Sequence, residues 1–148
     1  SRQILISFEQ KIETKKLDVE FECSDDSMYV SADKDAIYQV LYNICDNAIK
    51  YNHCGGNVNI RVHQTLYNAV LSVKDTGIGI PEESRERIFE RFYRVDKSRS
   101  KEVGGTGLGL SIVKHAVMIH NGKIEVKSEL GEGTEMIVTI PNKQDINL

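Results

Sequence analysis

The residues best suited to holding an anionic ligand lie in two short glycine-rich stretches. Asp75-Thr76-Gly77-Ile78-Gly79-Ile80-Pro81 and Gly104-Gly105-Thr106-Gly107-Leu108-Gly109 together contain six of the 11 glycines. Glycine permits positive φ and lets a backbone pass close to a ligand with no Cβ in the way. The second stretch runs into an apolar helical pattern. The first N–H groups of such a helix lack internal partners and carry positive partial charge, so they suit a phosphate. A plain flexible loop before a helix is the competing, less favoured account of this stretch taken alone. Spacing excludes two other phosphate motifs. A G-x-G-x-x-G fingerprint needs glycine where Leu110 or Ile112 stands, and no Gly-Lys-Ser/Thr occurs.

A helical pattern over about 33–51 supplies a second set of candidates. Ile37, Val40, Leu41, Ile44 and Ala48 form one apolar stripe. Asn43, Asn47 and Lys50 fall at i, i+4 and i+7 on a neighbouring stripe. Amide oxygens are hard ligands suited to Mg²⁺, and a lysine is a point charge for phosphate; a merely solvated face is the competing account of these three. Asp75 ends an apolar strand and opens a glycine turn. Its carboxylate accepts hydrogen bonds only, which suits an exocyclic amine such as adenine's, although an Asx turn accounts for it too. Tyr51 and Ile80 offer aromatic and apolar surface to a base.

These candidates need a scaffold. Residues 3–16 read as a first amphipathic helix, and 17–22 alternate apolar and acidic as a half-exposed strand does. Met28-Tyr29-Val30 reads as a second short strand. Asp33 caps the long helix, with Gly55-Gly56 beyond its end. Residues 57–64 and 68–74 form a strand pair through a polar turn. Pro81-Glu82-Glu83 is expected to open another helix, since proline is tolerated in a first turn. Residues 96–106 read as a mobile loop, followed by a helix over about 108–120 and strands at 123–128 and 134–140. The class is α+β: a two-layer sandwich, a mixed sheet covered on one face by about three helices.

Composition narrows the function. The chain has 148 residues, enough for one domain with its own core. Its 40% hydrophobic and 28% charged content is that of an ordinary globular chain, and a net charge of −3 argues against a nucleic-acid neutraliser. No apolar run is long enough to span a bilayer. Cys23, Cys45 and Cys54 form no C-x-x-C pair, so neither a disulfide framework nor a zinc knuckle is signalled. His53-Cys54 reads as a helix-end turn rather than a metal site. A start at Ser1-Arg2-Gln3-Ile4 is expected of a piece of a longer protein.

Taken in order, the blocks resemble the catalytic and ATP-binding domain of a sensor histidine kinase, in the Bergerat-fold superfamily of gyrase, chaperone, histidine kinase and MutL. Gln39 to Tyr51 is similar to the N box, and Asp75 to Pro81 to the first glycine box. Ile88 to Asp96 is similar to the F box, Gly105 to Leu110 to the second glycine box, and Leu130 to Thr134 to the final glycine-threonine segment. The likeness covers nearly the whole chain.

The resemblance implies roles for named residues. Asn43 and Asn47 would face Mg²⁺ and the phosphates, with Asn43 as the metal ligand. Lys50 and Arg94 would meet phosphate, Arg94 the γ-phosphate with Arg91 as the weaker candidate, so that Asn43, Lys50 and Arg94 form the catalytic set. Tyr51 and Ile80 would lie against adenine. Asp75 would accept from its amine, partly through a water shared with Thr134. Gly77 and Gly79 would let the chain pass the nucleotide. Gly105, Thr106, Gly107, Leu108 and Gly109 would wrap the phosphates as part of a flexible ATP lid, which Phe89 and Phe92 anchor in apolar surface.

ATP and Mg²⁺ are the implied substrate and cofactor. The implied partners are a histidine-bearing dimerisation domain of the parent protein and, indirectly, a response regulator; nucleic acid is not among them, and the fragment itself would be a monomer. The implied location is the cytoplasmic side of a parent anchored in the membrane. Relatives that hydrolyse ATP, or phosphorylate serine, carry glutamate where Asn43 stands, and asparagine cannot act as a general base. None of the four histidines is followed by Glu or Asp, as the family's acceptor is, so all four read as structural. Two rival readings are a degenerate nucleotide-sensing module and an ATPase or serine kinase of the same fold.

Overall fold

A computed structural model describes residues 2–24, 32–95 and 107–142. Among them lie α1 (Arg2–Ser7), α2 (Glu9–Lys15), β1 (Asp18–Cys23), α3 (Lys34–Lys50), β2 (Asn57–Gln64), β3 (Asn68–Asp75), α4 (Gly109–Ile119), β4 (Lys123–Glu129) and β5 (Gly133–Pro141). The expected strand at Met28–Val30 and the lid at 96–106 lie outside the described residues.

The sheet order is β1-β2-β3-β5-β4. β1 runs parallel to β2, as a crossover through α3 permits, and every other pairing is antiparallel. Alternation sets the two faces. Val58, Ile60, Leu71, Val73, Met136 and Val138 point to one side and are buried. The helices cover that side with Val40, Ile44 and Ala48 of α3 and Val113 and Val117 of α4. Each buried valine, leucine, isoleucine or methionine among them contributes about 1.5–3 kcal/mol, and Ala48 about 0.8 kcal/mol. The α+β sandwich with one helical layer is therefore as expected.

α3 forms where its signals predict. The Asp33 side chain accepts from the Asp35 and Ala36 amides at its start. At its end, Lys15 Nζ donates to the Ile49 and Lys50 carbonyls at 2.9 and 2.6 Å. That ammonium caps carbonyls that α3 itself leaves unpaired.

Two expectations fail. The first helix is split at Phe8, whose φ of −102° and ψ of 2° interrupt it. Ser7 Oγ donates to the Ile4 carbonyl at 2.6 Å, an alternative to continued helix. The break turns Phe8 inward, where it is 1% exposed and packs on Tyr42 at 4.9 Å between ring centroids. After Pro81 no α-helix forms; instead 3₁₀ turns occupy Glu82–Ser84 and Arg87–Phe89. The segment is mostly charged and buries only Ser84 and Ile88, so no apolar stripe drives a longer helix.

Candidate functional site

Asp75 is the last residue of β3 and lies opposite Thr134 of β5 on the helix-covered face. One carboxylate oxygen, Oδ1, accepts the Gly77 amide at 2.9 Å and the Thr134 amide at 3.2 Å. Among the described residues, no donor is recorded for the other oxygen. Burial raises the Asp75 pKa above the ordinary aspartate range, against the opposing pull of those two amides and of nearby His53. A half-buried acceptor with one oxygen spare suits an amine-bearing ring edge.

The Asx turn and the amine acceptor were competing readings of Asp75, and the Oδ1 bond to Gly77 shows that the turn is formed. The turn uses one oxygen and leaves the acceptor reading intact. Ser128, which no motif singled out, fixes the neighbouring strand end. Its Oγ donates to the Gly133 carbonyl at 2.9 Å, meets the Thr134 hydroxyl at 2.9 Å and accepts the Ile80 amide at 2.8 Å. Thr134 is thus held through both its amide and its hydroxyl. Arg85 adds a guanidinium bond to the Ser128 carbonyl.

Tyr51 is the C-cap of α3, 40% exposed, and its carbonyl accepts the Ile78 amide at 3.0 Å. The helix end and the glycine turn therefore touch. A Cβ at Gly77 would fall on the Tyr51 carbonyl, and one at Gly79, where φ is +74°, on the Glu129 carbonyl. Both glycines are demanded by the protein's own packing, a simpler reason than ligand approach. Ile80 packs partly buried against the core.

At the other end of the candidate site, Asn43 Nδ2 donates to the Gln39 carbonyl at 2.9 Å. That bond orients the amide and leaves Oδ1 available. Oδ1 lies 3.1 Å from where a Cβ of Gly109 would stand, so α3 and the start of α4 approach closely here. Among the described residues, no side-chain hydrogen bond caps α4. A neutral, hard oxygen beside an uncapped helix start fits Mg²⁺ that also carries phosphate and water ligands. Among the described residues no three His, Cys, Asp or Glu side chains are grouped to hold a metal.

Asn47 is half-buried on the same stripe. Lys50 Nζ sits 2.7 Å from Asp46 Oδ2, and Asp46 Oδ1 lies 3.5 Å from Lys11 of α2. Lys50 is thus tied to a carboxylate that the sequence reading overlooked.

The F-box residues behave unequally. Phe89 packs partly buried against the core, with Lys114 Nζ 5.8 Å from its ring centroid. Phe92 does not anchor in apolar surface: it is 67% exposed and adopts φ of +65°. Its amide donates to the Gly107 carbonyl at 2.9 Å, and Gly107 itself has φ of +75°. Two consecutive demands on the backbone outrank burial of the ring at this crossing. Arg94 is half-buried, and no hydrogen bond or ion pair is recorded for it among the described residues. Arg91 lies 5.8 Å from the Phe92 ring. Leu108 is the N-cap residue of α4, while Gly105 and Thr106 lie outside the described residues.

One histidine has a clear structural place. His120 Nδ1 bonds the Ala116 carbonyl at 2.7 Å and Nε2 accepts the Asp33 amide at 3.0 Å, joining the end of α4 to the start of α3.

Comparison with known proteins fits this geometry. The sequence model of the histidine kinase-, DNA gyrase B- and HSP90-like ATPases matches residues 32–144. The sensor histidine kinase WalK of Bacillus subtilis (strain 168) is 47% identical over 136 residues, which is 89% of this chain and 22% of that protein. The chain thus spans about a fifth of that relative's length. Among solved structures, the nucleotide-free catalytic domain of histidine kinase ThkA superposes with a TM-score of 0.84 at 34% identity, over 97% of this chain and 92% of that one. ThkA in complex with the response regulator TrrA gives a TM-score of 0.78 at 31% identity, over 96% and 39%.

Proposed function

The chain belongs to the family of histidine kinase-, DNA gyrase B- and HSP90-like ATPases, and from that premise we propose that it is the catalytic, ATP-binding domain of a sensor histidine kinase. Its reaction is transfer of the γ-phosphoryl group of Mg-ATP to a histidine on a separate dimerisation domain of the parent protein. The observation that carries this reading is Asp75, which binds two amides with one oxygen and keeps the other for the adenine amine. Tyr51 and Ile80 supply the surfaces against the ring.

Asn43 is the candidate ligand for Mg²⁺, which when bound neutralises phosphate oxygens and draws charge off the leaving ADP. Asn47, Lys50 and the start of α4 hold the phosphates. Lys50 must then exchange or share its bond to Asp46, whose second cation, Lys11, stays in place. Arg94 stabilises charge on the γ-phosphoryl oxygens, and residues 105–109 enclose them. In the transfer, a neutral imidazole nitrogen attacks the γ-phosphorus while the bond to the β–γ bridging oxygen breaks, its electron pair leaving on ADP. An imidazole nitrogen has a lone pair ready, so no general base is needed and Asn43 in place of glutamate is chemically sufficient. The site's contribution is positioning and charge stabilisation.

We assign residues 1–148 to one such domain, acting as a monomeric unit on the cytoplasmic side of a membrane-anchored parent, where ATP is found. A response regulator receives the phosphoryl group from the acceptor histidine; the complex of the similar kinase ThkA with the response regulator TrrA supports a partner of that kind. The test is γ-labelled ATP with this chain and a separately made histidine-bearing hairpin of the parent. Acid-labile, base-stable label on the hairpin is expected. Intact ATP binding with no label on the hairpin would leave only a nucleotide-sensing module, and steady hydrolysis without an acceptor would favour an ATPase.

A further inference from the structure

A polar knot centred on one buried amide joins the two walls of the base end, and no motif contains that central residue. Asn52 lies two residues past the end of α3 and is 7% exposed. Its Oδ1 accepts the His53 amide at 2.9 Å and the Thr76 hydroxyl at 3.3 Å, and its Nδ2 donates to the Asn57 carbonyl at 2.9 Å. Thr76 Oγ1 in turn accepts the Asn57 amide at 2.8 Å. Lys15 Nζ donates to the Asn52 carbonyl at 3.3 Å. Space is kept for the knot by Gly56, where a Cβ would fall on Asn52 Oδ1 and lie 2.9 Å from Thr76 Oγ1.

The knot stands where regular structure has run out on both sides. α3 ends at Lys50 and β3 at Asp75. Neither helix nor ladder fixes how far Tyr51 stands from the Asp75 turn. The Ile78-to-Tyr51 backbone bond ties them, the Asn52–Thr76 bond ties them directly through side chains, and Asn57, bonded to both Asn52 and Thr76, reinforces it. The Asn52 amide is buried and bonded through both its oxygen and its nitrogen, while Thr76 and Asn57 are exposed. Loss of a partner therefore leaves a polar atom of Asn52 unpaired away from water, and that holds the local geometry.

We propose that Asn52, acting through Thr76, is a positioning residue for base recognition: it sets the spacing between the Tyr51 wall and the free oxygen of Asp75. This rests on the nucleotide reading above and names what gives that site its selectivity for an amine-bearing purine. Asn52 touches neither base nor phosphate in this account.

The experiment is calorimetric titration of ADP and of inosine 5′-diphosphate, which has a carbonyl in place of the amine, both with Mg²⁺. The proteins are the unaltered chain, Asn52→Ala, Thr76→Val, Thr76→Ser and the Asn52→Ala/Thr76→Val double variant. Losing the bond is expected to weaken ADP binding about tenfold in Asn52→Ala and less in Thr76→Val, with inosine diphosphate changed less than twofold. The ratio of the two affinities falls accordingly. Thr76→Ser, which keeps the hydroxyl, is expected to retain the ratio, and the double variant to be no weaker than Asn52→Ala within twofold. If Asn52→Ala does not fold, the Thr76→Val and Thr76→Ser pair reads the same bond. An unchanged ratio, equal losses for both nucleotides, or additive losses in the double variant would overturn the proposal while leaving the nucleotide site standing. Absence of ADP binding by the unaltered chain would remove both.

Discussion

The two ends of the candidate site are built differently. At the base end, hydrogen bonds of 2.9–3.2 Å join Gly77, Asp75, Thr134 and Ser128, and a second set of 2.8–3.3 Å joins Asn57, Thr76 and Asn52. At the phosphate end, Arg94 has no recorded hydrogen bond or ion pair among the described residues. Phe92 is exposed, Lys50 is held by Asp46, and among the described residues no side-chain hydrogen bond caps the start of α4. The first end is tied by side-chain bonds; at the second, among the described residues, Arg94 is without such a tie. Pre-formed recognition of the base costs little reorganisation on binding, whereas groups that meet the γ-phosphoryl do the most for rate when they engage it in the transition state.

Variants can break or sharpen that contrast. The largest effect is expected from Arg94→Ala, with transfer to the acceptor hairpin slowed about a hundredfold or more, ADP affinity held within about twofold, and the melting temperature unmoved. A fall in ADP affinity as large as the fall in transfer would place Arg94 in ground-state binding instead. Next is Asp75→Asn. Its carbonyl can still accept from Gly77 and Thr134, but its amide now confronts the adenine amine, so ADP affinity should drop by about 2–3 kcal/mol in calorimetry. Burial opposes the native charge, so the ligand-free variant is expected to melt no lower than the unaltered chain.

Gly77→Ala is expected to cost about 1–3 kcal/mol of stability in urea unfolding, because the added methyl falls on the Tyr51 carbonyl. Gly107→Ala should cost only about 1 kcal/mol, from its positive φ and its contact with the Phe92 backbone. Equal costs would erase the distinction between a packed end and an open one.

The smallest effect is on pH dependence. With its pKa raised, Asp75 binds its proton more tightly in the folded chain than in the unfolded one. Its contribution to stability therefore falls as pH rises from the ordinary aspartate value of about 3.9 to the folded pKa, and then levels off. ADP affinity should rise over the same window as the carboxylate forms. Denaturant midpoints and calorimetry from about pH 4 to 7, compared with Asp75→Asn, isolate this residue's share.

The fold was legible where a local signal and a packing need agreed. Asp33 and the Ile37–Ala48 stripe marked α3, and the Thr65–Asn68 turn marked the β2–β3 pair. Pro81 misled because tolerance of proline in a first turn does not supply the apolar stripe a helix needs. The break at Phe8 was invisible because Ile4, Ile6, Phe8 and Ile12 suit one continuous pattern, while tertiary packing wants both Ile4 and Phe8 inside. In the site, Asp75, Thr134 and the glycines could be found from their motifs. Ser128 and Asn52 could not, since their importance comes from partners up to 48 residues away, and a serine in a strand or an asparagine after a helix is ordinary in sequence. Lys50 was legible as a cation beside the asparagines, but its bond to Asp46 was not.

The most direct test of a base end formed in advance and built around Asp75 is titration of ADP with Mg²⁺ into the unaltered chain alongside Asp75→Asn, at matched folded stability. Saturable binding at one site per chain, with a rise in melting temperature that Asp75→Asn loses, is the predicted result. No heat and no melting shift at millimolar ADP, or equal affinity in the two proteins, would contradict it.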